Sequence, residues 1–76
     1  MNDENMNYER AKVFFEKQIV VHVSKKDGRY FNGLILEVTT NHLFINDRKE
    51  GRQLVLFSEL LMPIEEFREK VEVEDE

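Results

Sequence analysis

Lys26-Asp27-Gly28-Arg29-Tyr30-Phe31-Asn32-Gly33-Leu34-Ile35-Leu36-Glu37-Val38 carries the turn and the long strand on which the architecture depends. An apolar run at residues 19–23 precedes it, and Leu43-Phe44-Ile45 follows it. Asp-Gly between two strand-like runs predicts a hairpin, because Gly28 takes φ > 0 at no steric cost. Gly33, inside the second run, predicts a sharp bend in a long strand. Two strands, a tight turn and a bend within the second strand are the elements with which a very small barrel closes.

On the N-terminal side, Tyr8, Ala11 and Phe15 fall at i, i+3 and i+7, with Val13 and Phe14 flanking them. This predicts a helix over residues 8–17 with one apolar stripe, capped by Asn7 and preceded by a disordered lead at 1–6. Such a helix is too short to stand alone and must dock on the strands. Ile19, Val21 and Val23 alternate with Val20, His22 and Ser24, which predicts a first strand with one face inward. Tyr30 and Phe31 begin the second strand and face opposite ways, so one of them is expected in the core. On the C-terminal side, a third strand is expected at 43–46 and a polar hairpin loop at 47–52, with Gly51 as its φ > 0 residue. A fourth strand at 53–57 leads to a single helical turn at 58–60. A fifth strand at 61–67 is held to an edge by Pro63. The reading is of one mainly β domain over residues 7–67: an N-terminal α-helix, then a five-stranded, strongly bent antiparallel barrel.

The 76 residues allow one domain with a small core. There is no cysteine, which excludes disulfides and thiolate metal sites. No apolar run approaches the roughly 18 residues of a membrane helix. The leading residues are polar and acidic, unlike a secretory signal, so a cytoplasmic location is expected. The formal net charge is -5, and residues 65–76 hold seven acids against two bases, so the imbalance lies there. An acidic C-terminal tail over 68–76 is therefore expected, either solvated or competing with nucleic acid for a neighbouring surface.

The strands nearest the end of the chain are short and apolar. Leu54, Val55, Leu56, Phe57, Leu61, Met62 and Ile64 are predicted to form an interface between copies, since an exposed strand edge is a template for pairing. Edge pairing by one repeated rule closes into a ring where the rotation permits.

At this point the chain resembles the Sm/LSm superfamily, including its bacterial host-factor branch. The likeness runs over about residues 8–67. It rests on the N-terminal helix, on Ile19-Val20-Val21-His22-Val23, and on the two glycines of Lys26-Asp27-Gly28-Arg29-Tyr30-Phe31-Asn32-Gly33 with an apolar strand after the second. Leu43-Phe44-Ile45 is similar to that family's third strand, and Val55-Leu56-Phe57-Ser58-Glu59-Leu60 to the end of its fourth strand and the link into the last. The resemblance implies an SH3-like barrel, a ring of about six or seven copies, and single-stranded RNA held by the turn between the second and third strands. The chain departs from the family at that turn. Thr39 stands near the position of a usual Asp, and His42 near that of a usual Asn. In the last loop Phe57-Ser58-Glu59 replaces both the Arg-Gly pair of the Sm proteins and the Lys-His pair of the host-factor branch.

RNA recognition needs flat groups for stacking, cations for phosphates and polar groups for base edges. Lys25, Lys26 and Arg29 in the first hairpin loop, and Arg48, Lys49 and Arg52 around the third, are the candidate phosphate contacts. Thr39, Asn41 and His42 are the candidate base contacts. Phe14, Phe15, Phe44, Phe57 and Phe67 are expected to pack rather than to stack on bases. His22 and His42 lack the spacing of a metal motif, and Gly28-x4-Gly33 is followed by Leu34-Ile35 where a phosphate loop requires Lys-Ser/Thr. No catalytic constellation can be drawn from the order of residues, so no enzyme, cofactor or small-molecule substrate is expected. The expectation is a non-catalytic, ring-shaped RNA scaffold. The alternative is an SH3-like small barrel that mediates protein–protein assembly without RNA.

Overall fold

The structure, a computed structural model, describes residues 3–68, with side chains described from Met6 onward. The chain runs α1 (Asp3–Lys17), β1 (Val21–Ser24), β2 (Tyr30–Val38), β3 (His42–Asp47), β4 (Gly51–Leu56), a 3-10 turn η1 (Phe57–Glu59) and β5 (Glu65–Glu66). The five strands make one antiparallel sheet in the order β4-β3-β2-β1-β5.

The helix starts before the expected residue 8. It takes in residues 3–6 of the expected lead, and Asn7 lies inside it, buried, rather than at its cap. Its end is better defined. Gln18 adopts φ 56, its N–H donates to the Phe15 carbonyl at 3.2 Å, and the Ile19 N–H donates to the Phe14 carbonyl at 3.0 Å. This is the paired closure that satisfies the last carbonyls of a helix when one residue turns left-handed. Ala11 is fully buried, Tyr8, Phe14 and Phe15 pack against the core, and Val13 stays exposed. The Arg10 Nε donates to the Ile64 carbonyl at 2.8 Å, which ties the helix to the approach of β5.

The first hairpin forms as expected. The Gly28 N–H donates to the Lys25 carbonyl, Gly28 sits at φ 94, and the ladder resumes at Ser24 and Tyr30. Gly51, at φ 80, stands where the β3–β4 loop enters β4. Gly33 has a different function from the expected bend. A Cβ there would collide with the carbonyl of Asn46, so glycine is needed for the close approach of β3. The irregularity in β2 lies further on: Ile35 pairs with Ile45 and Glu37 with Phe44, leaving Leu36 as the extra residue of a bulge.

One face of the bent sheet builds the core from Val21, Val23, Phe31, Ile35, Leu43, Ile45 and Val55, completed by Phe57, Leu60 and Ile64. Phe31 is the inward partner of the Tyr30–Phe31 pair, and Tyr30 is 58% exposed. Three of the expected interface residues, Val55, Phe57 and Ile64, are therefore core residues. A strand's two-residue period sends Val55 inward while Leu54 and Leu56 face out. Leu61 and Met62 are exposed as expected.

The sheet does not close into a barrel. The η1 turn folds back on the first hairpin, with the Lys26 N–H donating to the Glu59 carbonyl at 2.8 Å, the Leu61 N–H to the Ser24 carbonyl at 2.9 Å, and an isolated bridge between Lys25 and Leu60. From there the chain reaches β1, not β4. β5 is only two residues long where residues 61–67 were expected to form it, because Pro63 supplies no N–H to a ladder. β4 and β5 are left as the two edges. No helix among the described residues is long and apolar enough to cross a membrane.

Candidate nucleic-acid interface

The expected RNA contacts fall at opposite ends of the sheet. The first hairpin loop and the β3–β4 loop share one end: Arg29, Tyr30, Asn32, Arg48 and Lys49 line a single cleft there. Thr39, Asn41 and His42 lie at the other end of β3, a six-residue strand of roughly 20 Å. No single nucleotide contacts both groups in one copy of the chain.

The turn at 39–42 is locked by its own side chains. The Thr39 N–H donates to the His42 carbonyl at 2.8 Å, and the His42 N–H donates to the Thr39 Oγ1 at 3.2 Å. His42 Nδ1 lies 3.0 Å from both the Thr39 Oγ1 and the Asn41 Oδ1. The Phe57 N–H donates to the Asn41 carbonyl at 3.0 Å, so the turn sits directly beside the link that leaves β4. On the outer face next to it the His42 ring meets Phe44 edge-on, with centroids 5.5 Å apart, and the Arg52 guanidinium covers Phe44 at 4.1 Å. The Glu37 carboxylate lies 3.9 Å from the Arg52 guanidinium. Phe44 was expected to pack rather than to offer a stacking surface. It instead forms part of an outward tier of imidazole, phenyl and guanidinium, because the bulge at Leu36 and the strand period place it opposite Leu54 on the outer face.

At the loop end the five cations Lys25, Lys26, Arg29, Arg48 and Lys49 are not equivalent. The Lys25 Nζ lies 3.4 Å from Glu59 and 3.9 Å from Asp27, with its side chain only 11% exposed, so its charge is spent within the fold. Arg29 leans over Phe31, and Arg48 stacks on Phe67 at 5.0 Å. Lys26, Arg29, Arg48 and Lys49 form no ion pair with a described residue.

Asp47 and Asn32 organise this end. Asp47 is buried. Its Oδ1 accepts from the Asn32 N–H at 2.8 Å, and its Oδ2 accepts from Lys49 at 3.0 Å and Glu50 at 2.8 Å. Burial pushes the carboxyl up, but these three N–H donors, with the Lys49 charge, outweigh it and hold the group below its ordinary value of 3.8. The signal was an Asp two and three residues before the amides of a polar turn, the arrangement of an Asx turn. Asn32 faces outward opposite His22. The His22 Nδ1 meets the Asn32 Oδ1 at 2.5 Å, and the Ser24 Oγ meets the His22 Nε2 at 3.0 Å. The order Ser–His–Asn resembles an acyl-transfer relay. All three groups lie across one strand pair. The string is a cross-strand clasp.

Among the described residues no group of three or more His, Asp or Glu side chains could hold a metal ion. The class defined by this architecture is a small open β-sheet protein with an N-terminal helix. Comparison with family models, curated proteins and solved structures returned no match.

Proposed function

We propose that the chain is a non-catalytic, Sm-like RNA-binding protein whose copies join side by side and hold single-stranded RNA. The observation that carries this reading is the locked turn at 39–42 beside the His42–Phe44–Arg52 tier. With Nδ1 donating to Asn41, the His42 Nε2 is the acceptor left for a base edge. The Asn41 amide supplies a donor, and the tier supplies flat surface for stacking. Phosphates would meet Lys26, Arg29, Arg48 and Lys49.

Side-by-side assembly is supported by the character of the two edges. β4 presents Arg52 with Leu54 and Leu56 facing outward. β5 presents Glu65 and Glu66, preceded by exposed Leu61 and Met62. Two unpaired backbone edges favour pairing one copy's β4 with the next copy's β5, the head-to-tail geometry that generates rings. The same exposed leucines support a second reading, protein–protein assembly without RNA.

Native mass spectrometry with and without oligo-U or oligo-A tests both at once. The expected result is a multimer that takes up RNA, with the Asn41→Ala/His42→Ala double variant binding at least about tenfold more weakly. Affinity no better than for a polyanion control would leave the assembly reading in its place.

A further inference from the structure

A small pocket of about 210 Å3 opens between the second turn of α1 and the link at residues 60–63. Met6, Leu61, Met62 and Pro63 form its apolar wall, all four of them exposed. Two polar side chains line it as well. Asn7 and Arg10 stand three residues apart on one face of the helix. The volume falls below the roughly 300–1,000 Å3 of sites for whole small molecules. It suits one branched side chain.

Asn7 is the unusual group here. It is only 7% exposed, yet its side-chain amide makes no hydrogen bond with a described residue. Leaving a buried amide unpaired is costly, and folded proteins pair nearly all such groups. Its two N–H donors and its carbonyl acceptor are the complement of a peptide unit. Arg10 stacks over Phe14 at 5.7 Å and gives its Nε–H to the Ile64 carbonyl at 2.8 Å, which leaves both terminal nitrogens as donors. It is the one charged residue lining the pocket and forms no ion pair with a described residue. Glu65 and Glu66 share a separate hollow with it on the side of His22, without pairing to it.

We infer that this pocket binds the C-terminal residue of a partner peptide. The aliphatic side chain of that residue lies against Met6 and Met62, its backbone amide pairs with the Asn7 side chain, and its carboxylate pairs with the Arg10 guanidinium. The charge of Arg10 calls for a carboxylate. The apolar wall calls for an aliphatic group, and Asn7 calls for an amide between the two. A C-terminal aliphatic residue carries all three on one carbon. The unbranched methionines adapt to the shape of the side chain that enters. This site does not depend on the RNA reading.

N-acetyl-leucine is the probe, titrated into the full-length protein while amide signals are recorded. The expected result is saturable movement at Met6, Asn7, Leu61 and Met62, with Lys49 and Glu50 at the loop end unmoved. N-acetyl-leucinamide lacks the carboxylate, and 4-methylpentanoate lacks the amide. Each should bind at least about tenfold more weakly. Asn7→Leu removes an unpaired buried amide, so it should fold, and it should weaken N-acetyl-leucine binding about tenfold. Absence of saturation, or equal affinity for all three compounds, overturns the inference. Movement that follows protein concentration in place of added compound also overturns it, and assigns the pocket to a second copy. Failure to bind oligo-U would remove the functional reading and leave this one standing.

Discussion

Gly33 and Asp47 show how single residues set the geometry of the loop end. At Gly33 any side chain meets the Asn46 carbonyl, and backbone cannot swing aside as a flexible side chain can. Gly33→Ala is expected to cost at least about 2 kcal/mol, measured by urea unfolding. Asp47 acts through its three backbone donors. Asp47→Ala leaves those N–H groups without their acceptor and should cost about 2 kcal/mol. The pH dependence follows from the depressed pKa. The stabilisation is fully present above the ordinary value of 3.8 and is lost as pH falls through the lower folded value. Urea midpoints measured between pH 6 and about pH 2 should therefore fall for the native chain and fall less for Asp47→Asn. Parallel profiles for the two would assign the acid sensitivity to other carboxylates. Neither role could be read from the sequence. Glycine's permissiveness is visible there, but not the strand that presses on it, and an Asp before a polar turn looks like any solvated loop acid.

Among the elements, α1 ends in a strained closure and the sheet is shaped by a bulge. Gln18 holds a left-handed conformation that glycine adopts freely. Gln18→Gly should raise stability by about 0.5 kcal/mol, the relief of strain being partly offset by unfolded-chain entropy and by loss of the Gln18 Nε2 bond to Phe15. A lower melting temperature in that variant would mean that the side-chain bond outweighs the strain. The hairpin at Asp27-Gly28, the helix stripe and Gly51 were legible because each depends on neighbours within a few residues. The bulge at Leu36 was not. Its position is set by the pairing of Ile35 with Ile45 and Glu37 with Phe44, a register between strands that local sequence does not display. The bulge in turn sets which side chains stand beside the 39–42 turn, so the Phe44–Arg52 tier was hidden with it.

For the whole molecule, the open order β4-β3-β2-β1-β5 leaves β4 and β5 as the two edges of the described sheet. If those edges pair between copies, Arg52→Glu should weaken self-association, and so should Glu65→Arg with Glu66→Arg. Combining all three should restore it. Light scattering at micromolar concentration checks the series, and a native chain with a clean monomer mass would end the ring reading. The division of the candidate RNA contacts between two ends of β3 belongs to this scale as well. If Lys26, Arg29, Arg48 and Lys49 bind phosphates, removing one should lower the salt slope of RNA binding by roughly 0.7. Lys25→Ser should leave the slope unchanged, because that ammonium already faces Glu59 and Asp27.

By itself the sequence determined the class of fold: one helix, several short antiparallel strands and the turns that join them. Hydrophobic periodicity and the φ preference of glycine act over a few residues and need no distant partner. Tertiary structure decided whether the sheet closes, which apolar side chains become core and which become edge, and which polar groups meet. Those outcomes depend on contacts between residues far apart in the chain, such as Lys25 with Leu60, Asn32 with Asp47 and Val20 with Phe67. Their free energies arise only once the chain has folded back on itself.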